Sequence, residues 1–310
     1  MQVLIAEDDP MSRRLLEGTL HKWGYDVLSV TDGRAAWDVL ASPDSPCLAV
    51  LDWMIPEIDG LELCRRVRQA QPGKPYVYLI LLTSRTERSD MIAGMNAGAD
   101  DYITKPFDAA ELHVRLHAAG RILDLQSRLL ATQEALRQQA THDPLTGVFN
   151  RGAVVEGLAR ELSRAQRAGI SVGVGLADLD HFKTINDTLG HSVGDVVLAQ
   201  AAQRMAGAMR PYDILGRYGG EEFLVIAPTC QPHQTLEVAQ RLCRAIGQTP
   251  FEVQDRHIAV TMSMGVVTVG PDECANPDEI IARADAAMYT AKTNGRNRVE
   301  VAPVLAAVPT

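Results

Sequence analysis

Up to about residue 120, apolar segments alternate with amphipathic ones, and this rhythm restricts the fold more than any other feature of the chain. The segments with strand character are Val3–Ala6, Val27–Val30, Leu48–Leu51, Val77–Leu82 and Tyr102–Ile103. The segments with helical spacing are Met11–Trp23, Gly33–Ala41, Gly60–Gln69, Arg88–Ala97 and Asp108–Ala118. Five strand–helix units in this order predict a doubly wound α/β domain, with a five-stranded parallel sheet, over residues 1–120.

A long helical segment follows the last of these strands. Leu112–Gln139 contains no proline and a single glycine, and helix-forming residues dominate it. Six residues recur along it in alternating steps of three and four: Ile122, Leu125, Leu129, Thr132, Leu136 and Gln139. This spacing is typical of a coiled-coil seam, so we predict a helical linker over residues 121–141 that pairs with its copy in a homodimer. The alternative is an amphipathic helix that packs on its own domain.

A different pattern begins after Asp143-Pro144. Its predicted strands are Ser171–Leu179, Glu222–Ile226 and Ile258–Val267, and its predicted helices include Asp195–Met209, Thr235–Ile246 and Pro277–Thr293. Gly219-Gly220 before an apolar strand indicates a tight turn in a hairpin. We therefore predict an α+β domain over residues 142–302, followed by a tail at 303–310.

Composition excludes several classes of protein. The net charge of −9 and the lack of a basic block argue against a nucleic-acid partner. The longest apolar run, Tyr76–Leu82, is too short to cross a bilayer, and Val3-Leu4-Ile5 begins a strand with no charged leader. The five cysteines form no CxxC pair. We expect a cytoplasmic protein without membrane insertion and without structural disulfides.

Acidic and basic side chains follow the strands of the first domain. Glu7-Asp8-Asp9 comes after the first strand, Asp52 ends the third, Thr83 the fourth, and Lys105 follows the fifth. In a parallel sheet these positions share the carboxyl edge, where ligands bind in doubly wound folds. Clustered carboxylates need a cation, and Mg²⁺ prefers oxygen ligands. The edge therefore suits phosphoryl transfer. Asp9 either faces solvent or caps the helix that Pro10 begins.

These residues resemble response-regulator receiver domains over the first 120 positions. The matching segments are Glu7-Asp8, Leu51-Asp52-Trp53-Met54-Ile55-Pro56, Asp59-Gly60, Leu82-Thr83-Ser84 and Tyr102-Ile103-Thr104-Lys105-Pro106-Phe107. The resemblance implies that Asp52 is the phosphoacceptor of a cognate sensor histidine kinase. It further implies the following roles: Mg²⁺ ligation by Glu7, Asp8, Asp52 and the Met54 carbonyl, phosphoryl contacts by Thr83 and Lys105, and a switch aromatic at Tyr102. The alternative is a pocket that takes no phosphate.

A second set of carboxylates lies in the second domain. Asp178 and Asp180 alternate at the end of a strand and so share a face. Glu221-Glu222 follows the Gly-Gly turn, whose glycines allow close backbone approach to a nucleotide. Two carboxylate groups on adjacent strand ends suit a pair of Mg²⁺ ions on a triphosphate. Lys183 is positioned to reach phosphate.

This region resembles the GG(D/E)EF domains of diguanylate cyclases from about residue 141 to 300, which implies a nucleotidyl-cyclase-like fold. The matching segments are Asp143-Pro144-Leu145-Thr146-Gly147, Asn150-Arg151, Asp178–Lys183, Asn186-Asp187, Gly190-His191, Gly194-Asp195, Arg217–Phe223, Ser263-Met264-Gly265, Ala291-Lys292 and Gly295-Arg296-Asn297. The implied activity condenses two GTP into cyclic di-GMP and releases two diphosphates. Because each site holds one GTP, two catalytic domains must face each other.

The resemblance also implies a role for each residue of this site. The implied roles are: Mg²⁺ ligation by Asp178, the Leu179 carbonyl and Glu221; catalysis by Glu221 as base, with Glu222 supporting the metal and Lys183 stabilising charge; close nucleotide approach at Gly219 and Gly220; guanine or pocket contacts by Asn186, Asp195 and His191; and terminal phosphate contacts by Lys292 and Arg296. A carboxylate at Asp195 accepts from donors that guanine has and adenine lacks. This favours GTP over a mixed-nucleotide substrate.

Several of these residues have structural alternatives. Asp195 could cap the following helix, and Asp180 could have a structural role instead of binding metal. His181 is expected to line the pocket. Lys292 and Arg296 could form a solvated face, and Asp143 could pair with Arg151.

Product control and coupling are the last expectations. Arg210-Pro211-Tyr212-Asp213 matches the RxxD inhibitory site of the family, with Arg241 as a further contact, which implies feedback by cyclic di-GMP. Phosphorylation of Asp52 is expected to act on cyclase activity through the linker helix. A rival interpretation is a silent receptor that binds cyclic di-GMP through Arg210 and Asp213. A DNA-binding regulator is excluded because no helix-turn-helix remains to be placed.

Overall fold

The computed structural model describes residues 1–70, 75–84, 87–273 and 276–303. The chain divides into two compact units, Met1–Gln133 and Glu134–Thr310. No helix among these described residues is both long and apolar enough to cross a membrane. Cys47, Cys64, Cys230 and Cys243 are free thiols, and Cys274 lies outside the described residues.

The first unit is a doubly wound α/β domain. Its strands are β1 (Gln2–Ala6), β2 (Asp26–Val30), β3 (Leu48–Asp52), β4 (Tyr78–Thr83) and β5 (Asp101–Thr104). They form one sheet in the order β2-β1-β3-β4-β5, and every pair is parallel. Its helices are α1 (Pro10–Lys22), α2 (Gly33–Leu40), α3 (Gly60–Ala70), α4 (Arg88–Asn96) and α5 (Ala109–Thr141). The predicted fold class is confirmed.

Both faces of this sheet are buried, as a parallel sheet covered by helices requires. Leu4, Leu51 and Leu81 point into one apolar cluster, and Ile5 and Ile80 point into the other. At the carboxyl edge Glu7 follows β1 and Asp52 ends β3, and both carboxylates are buried.

The caps of the first helices follow from the sequence. The Asp9 carboxylate accepts a hydrogen bond from the Ser12 amide, 2.7 Å away. Asp9 therefore caps α1, which is one of the two roles expected for it. Gly33 begins α2 where its amide donates to the Pro56 carbonyl at 3.0 Å. A Cβ at Gly33 would overlap the Ile58 carbonyl, so this close approach requires glycine.

The helix α5 changes character along its length. Leu112, Leu116, Ala119 and Leu123 are buried in the first unit. Beyond Leu123 the predicted seam residues are exposed, including Leu125, Leu129 and Leu136. The alternative of a helix packed on its own domain therefore holds up to Leu123 and is wrong beyond it.

The second unit is an α+β domain, as predicted. Its elements are α6 (Arg151–Ala168), β6 (Val172–Leu179), α7 (Phe182–Leu189), α8 (His191–Gly207), β7 (Ile214–Arg217), β8 (Glu222–Pro228), α9 (Pro232–Gly247), β9 (Phe251–Val253), β10 (Arg256–Ile258), β11 (Met262–Val269), α10 (Pro277–Thr293) and β12 (Val299–Val301). Five strands form a sheet in the order β12-β11-β6-β8-β7, and β9 and β10 form a separate hairpin. The strand β6 is antiparallel to both its neighbours.

Two predicted elements of this unit differ in the structure. The predicted strand Ile258–Val267 is divided, because Ile258 closes the β9–β10 hairpin and β11 begins at Met262. The helix predicted from Asp195 begins four residues earlier, at His191. The short helix α7 was not predicted.

Candidate functional site

Three carboxylates converge at the carboxyl edge of the first unit. Oxygens of Glu7, Asp8 and Asp52 all lie within 4.8 Å of one another. The Lys105 ammonium lies 2.7 Å from Asp52 Oδ2 and 2.7 Å from Glu7 Oε2. This edge therefore brings together the acidic residues and the lysine that the sequence predicted there.

The charges in this pocket depend on one another. The pKa of Glu7 is raised, chiefly because the side chain is buried; the hydrogen bond from Lys105 opposes the shift and the charge of Asp52 adds to it. Burial alone would lower the pKa of Lys105, but hydrogen bonds to Asp52 and Glu7 raise it overall. An all-oxygen donor set with excess negative charge is the kind of site that fits a hard divalent cation.

The remaining predicted residues of the pocket follow β3, end β4 and lie on β5. The Met54 amide donates to Asp52 Oδ1 at 3.2 Å. Thr83 is buried at the end of β4. Tyr102 is half-buried on β5 and packs against the apolar cluster of the first unit.

The acidic site of the second unit is built on neighbouring strands. Asp178 near the end of β6 lies directly opposite Glu222, the first residue of β8. The pKa of Asp178 is raised, chiefly because the side chain is buried. The ion pair with Lys292 lowers the pKa, and the negative charges of Glu221 and Asp180 raise it further. Burial and then the charge of Asp178 raise the pKa of Glu222. These carboxylates repel one another, so the arrangement favours a bound cation.

The Gly-Gly turn holds Glu221 at the tip of the β7–β8 hairpin, as predicted. The Tyr218 amide donates to the Glu222 carbonyl at 2.8 Å. A Cβ at Gly219 would overlap the Glu222 carboxylate, whereas a Cβ at Gly220 would meet nothing within 4 Å. A side chain at 219 would therefore displace the Glu222 carboxylate, while Gly220 leaves open space beside the turn.

Arg217 connects this turn to Asp143, near the start of the domain, through hydrogen bonds and an ion pair. Its Nε and Nη2 donate to the Gly220 carbonyl at 3.0 and 2.7 Å. Its Nη1 lies 3.2 Å from Asp143 Oδ2. The predicted Asp143–Arg151 ion pair is therefore wrong. Arg151 instead lies over the Tyr218 ring, 4.5 Å from its centroid, because the β7–β8 hairpin places Arg217 next to Asp143.

Lys292 and Asp180 complete the acidic edge. The Lys292 ammonium lies 2.8 Å from Asp178 Oδ2, so the alternative of a merely solvated face is wrong for this residue. Asp180 accepts from the hydroxyls of Thr261 and Ser263, both at 2.7 Å, and from the Asn297 amide at 3.0 Å. These three bonds favour its structural alternative.

The predicted base-binding residues lie on α7 and α8. A Cβ at Gly194 would overlap Asn186 Oδ1, so the two helices place Asn186 beside the first turns of α8. Asp195 is exposed and lies five positions beyond Gly190, the N-cap of this helix. The capping alternative for Asp195 is therefore wrong. His191 is the exposed first residue of the same helix, and Lys183 is exposed on α7.

The predicted product site contains two buried polar atoms without a partner. Asp213 Oδ2 accepts from the Arg210 amide at 2.9 Å, and Arg241 Nε donates to the Ala208 carbonyl at 2.7 Å. Within the described part of the chain, Asp213 Oδ1 and Arg241 Nη2 are buried without a hydrogen-bond partner. The Arg210 side chain is exposed beside them.

Comparison with known proteins relates both units to known families. The "Diguanylate cyclase, GGDEF domain" family matches residues 140–298, and the "Response regulator receiver domain" family matches residues 3–117. The response regulator PleD of Caulobacter vibrioides is 32% identical over 301 residues, which cover 96% of this chain and 65% of PleD. The diguanylate cyclase DgcP of Pseudomonas aeruginosa is 39% identical over 169 residues, which cover 54% of this chain and 25% of DgcP.

The chain thus spans less than two thirds of the length of these curated relatives. Among solved structures, the coiled coil and GGDEF domain of DgcB from Caulobacter crescentus, in complex with c-di-GMP, matches with a TM-score of 0.55 at 31% identity. That match covers 62% of this chain and 99% of the DgcB chain. The chain belongs to the GGDEF diguanylate cyclase family and carries a response regulator receiver domain.

Proposed function

We propose that this protein condenses two GTP into cyclic di-GMP with release of two diphosphates, under the control of phosphorylation at Asp52. The observation that carries the cyclase proposal is the pairing of Asp178 with Glu222 across β6 and β8, with Lys292 on Asp178 and Glu221 at the adjoining turn. Family membership supports the same reaction, since DgcP is named a diguanylate cyclase.

The metal site of the cyclase consists of Asp178, the Leu179 carbonyl and Glu221. Their oxygens are suited to Mg²⁺, and the raised pKa of Asp178 reflects a buried, negatively charged edge that a cation would relieve. Bound there, Mg²⁺ would neutralise charge on the phosphates. Glu222 supports this site from the opposite strand position.

The protein residues divide the chemistry between them. Glu221 accepts the proton of the 3′-hydroxyl, whose oxygen bonds to the α-phosphorus of the other GTP while the bond to its diphosphate breaks. Lys183 stabilises the charge that develops on the phosphate. Lys292 and Arg296 hold the terminal phosphates that depart.

Guanine recognition falls to Asn186 and Asp195, with His191 in the same pocket. The Asn186 side-chain amide lies beside Gly194, the residue before the exposed Asp195, which supports this assignment. A carboxylate accepts from N1–H and N2–H₂ of guanine. Adenine lacks these donors, so the pocket selects GTP.

Two copies of the chain are needed to close the dinucleotide ring. Because one site holds one GTP, a homodimer brings the 3′-hydroxyl of one nucleotide to the α-phosphate of the other. The exposed leucines of α5 beyond Leu123 supply an apolar seam for this pairing.

The receiver pocket supplies the control. A cognate sensor histidine kinase phosphorylates Asp52, and Glu7, Asp8, Asp52 and the Met54 carbonyl would hold a Mg²⁺ that neutralises charge on the phosphoryl group. Lys105 and Thr83 contact the phosphoryl group, and Tyr102 responds to it. The ion pairs of Lys105 with Asp52 and Glu7 support this, since a phosphoryl group on Asp52 would compete for the same ammonium.

Product feedback acts through Arg210, Asp213 and Arg241. Two unpaired buried atoms, Asp213 Oδ1 and Arg241 Nη2, support a ligand at this place within the described residues. The same atoms would serve a silent receptor of cyclic di-GMP. The acidic edge around Asp178 argues against a catalytically inactive receptor, because such a receptor needs no metal ligands.

The test is GTP turnover by the purified chain with Mg²⁺, with products resolved by chromatography. Glu221→Ala should abolish cyclic di-GMP formation, whereas Glu252→Ala removes an exposed carboxylate on β9 and should retain it. Comparison with and without a beryllofluoride phosphoryl mimic tests the control by Asp52. Binding of cyclic di-GMP without turnover would establish the receptor instead, and equal activity with and without the mimic would refute phosphorylation control.

A further inference from the structure

A cavity in the second unit has no part in the reaction proposed above. It has a volume of about 570 Å³ and lies between the C-terminal half of α9 and the segment that leads into β12. Its wall includes Gln240, Cys243, Arg244, Gln248, Asn297 and Arg298. This volume is within the range of about 300–1,000 Å³ that small-molecule sites have.

Two exposed guanidinium groups on this wall lack acidic partners. Arg244 Nε donates to the Gln240 carbonyl and Arg298 Nε to the Arg296 carbonyl, each at 3.3 Å. In the part of the chain that the structure describes, no carboxylate lies within 4.0 Å of either guanidinium. Their Nη groups are available for a ligand. A pair of guanidinium groups at one cavity selects an anion, and phosphate matches their donor geometry.

The rest of the wall suits the remainder of an organic ligand. Cys243 is buried, and burial raises the pKa of its thiol to about 12, so the thiol is neutral and adds no charge. The side-chain amides of Gln240, Gln248 and Asn297 offer both hydrogen-bond donors and acceptors. A ligand with one charged end and a polar, planar body would match these groups.

We propose that this cavity binds a phosphate-bearing small molecule of mononucleotide size, with its phosphate held between Arg244 and Arg298. The binding claim rests on the charge and shape of the cavity alone. It does not depend on the cyclase activity.

The cavity wall is connected to the acidic edge by a short, constrained loop. Gly295, Arg296 and Asn297 follow one another with positive φ angles of 110°, 63° and 47°. The backbone amide of Asn297 donates to Asp180 Oδ2 at 3.0 Å, and the backbone carbonyl of Arg298 accepts from the Met264 amide at 2.9 Å. A ligand on Arg298 therefore acts on the loop that carries Arg296. If the proposed cyclase function holds, such a ligand changes the Michaelis constant for GTP.

The test is calorimetric titration of the full-length chain with adenosine 5′-monophosphate, without divalent metal. This probe lacks the guanine donors that Asp195 would recognise, so it discriminates against the GTP pocket. An Arg244→Ala/Arg298→Ala variant is compared with an Arg167→Ala/Arg256→Ala variant, which removes the same charge from two exposed arginines elsewhere. Thermal unfolding midpoints of all three proteins establish that each is folded.

We expect the wild type and the control to bind, the cavity variant to bind at least about tenfold more weakly, and inorganic phosphate to compete. Equal binding by both double variants, no binding by the wild type, or no competition by phosphate would each overturn the proposal. GTP turnover is measured separately, with and without the probe. If the wild type shows no GTP turnover even without the probe, the cyclase proposal is refuted and the binding result still stands.

Discussion

The Arg217 guanidinium joins Asp143, the first residue of the second domain's opening turn, to the carbonyl of Gly220. The carboxylate of Asp143 lies 3.2 and 3.3 Å from Nη1 of Arg217. The same guanidinium holds the Gly220 carbonyl through Nε and Nη2. Both side chains are about four-fifths buried, at 20% and 17% exposure, so solvent screens this ion pair weakly. A single side chain thus sets where the Gly219-Gly220 turn lies relative to the end of α5.

Loss of this bridge should impair catalysis more than folding. Arg217→Ala frees the Gly220 carbonyl and lets Glu221 drift, and a shift of about 1 Å in a reacting group can cost about a hundredfold in rate. We expect kcat for GTP to fall between about tenfold and a hundredfold, with a smaller change in KM. Initial-rate kinetics of diphosphate release measures both.

A matched control is Arg160→Ala, which removes an exposed arginine of α6 that pairs with Glu156. Asp143→Ala combined with Arg217→Ala tests whether the two residues act together. If the double variant loses the sum of the two single effects, the residues act independently and the bridge has no positioning role.

Glycine at position 33 is expected to be essential for the stability of the first domain. A Cβ there would overlap the Ile58 carbonyl, which belongs to rigid backbone. Gly33→Ala should therefore lower the free energy of unfolding by about 1–3 kcal/mol. Gly18→Ala is the control: Gly18 lies exposed inside α1, where a Cβ would meet nothing within 4 Å, and alanine there should add about 0.5–1 kcal/mol.

Tryptophan fluorescence measures these changes selectively. The three tryptophans of the chain, Trp23, Trp37 and Trp53, all lie in the first domain. Their urea transition therefore reports the unfolding of that domain within the whole protein. A free energy of unfolding for Gly33→Ala equal to that of the wild type would show that the start of α2 tolerates a side chain.

Gly194 should control the affinity for guanine through Asn186. A Cβ at position 194 would overlap Asn186 Oδ1, which is the end of a flexible side chain, so the amide can move at little cost to folding. Gly194→Ala then displaces the proposed base contact, and losing one hydrogen bond should raise KM for GTP by about tenfold. Gly207→Ala, at the exposed end of the same helix with nothing within 4 Å, should leave KM unchanged. Steady-state kinetics measures KM for GTP in both variants. Equal KM values would contradict a role for Asn186 in guanine binding.

How far the sequence predicts the structure depends on the range of the interactions. The first domain was predictable because buried parallel strands such as Leu48–Asp52 are continuous apolar runs with polar residues at their ends. The helix α7 escaped prediction because it has eight residues, of which Thr184, Asn186, Asp187 and Thr188 favour helices weakly. The β10–β11 break was missed because Ala259 and Val260 continue the apolar pattern across it.

The partner of Asp143 was not predictable for a different reason. Arg151 is near in sequence, whereas Arg217 is 74 residues away and reaches Asp143 through a separate contact. The Arg217 amide donates to the Phe149 carbonyl at 2.7 Å, which fixes β7 beside the opening turn. Such pairings depend on tertiary register, which neither spacing nor propensity encodes.

The exposed seam of α5 leads to the last prediction, which concerns self-association. Leu129 belongs to the predicted seam and Leu130 does not, yet their side chains are almost equally exposed, at 58% and 56%. If the seam pairs two chains, Leu129→Ser removes at least about 2 kcal/mol of buried apolar contact from the dimer, which weakens dimerisation at least about thirtyfold. Leu130→Ser removes the same group from a position outside the seam and should change dimerisation little. Sedimentation equilibrium of both variants measures the dissociation constants. GTP turnover should fall in parallel for Leu129→Ser, because the proposed ring closure needs two sites. Equal dissociation constants for the two variants would rule out this seam as the pairing surface.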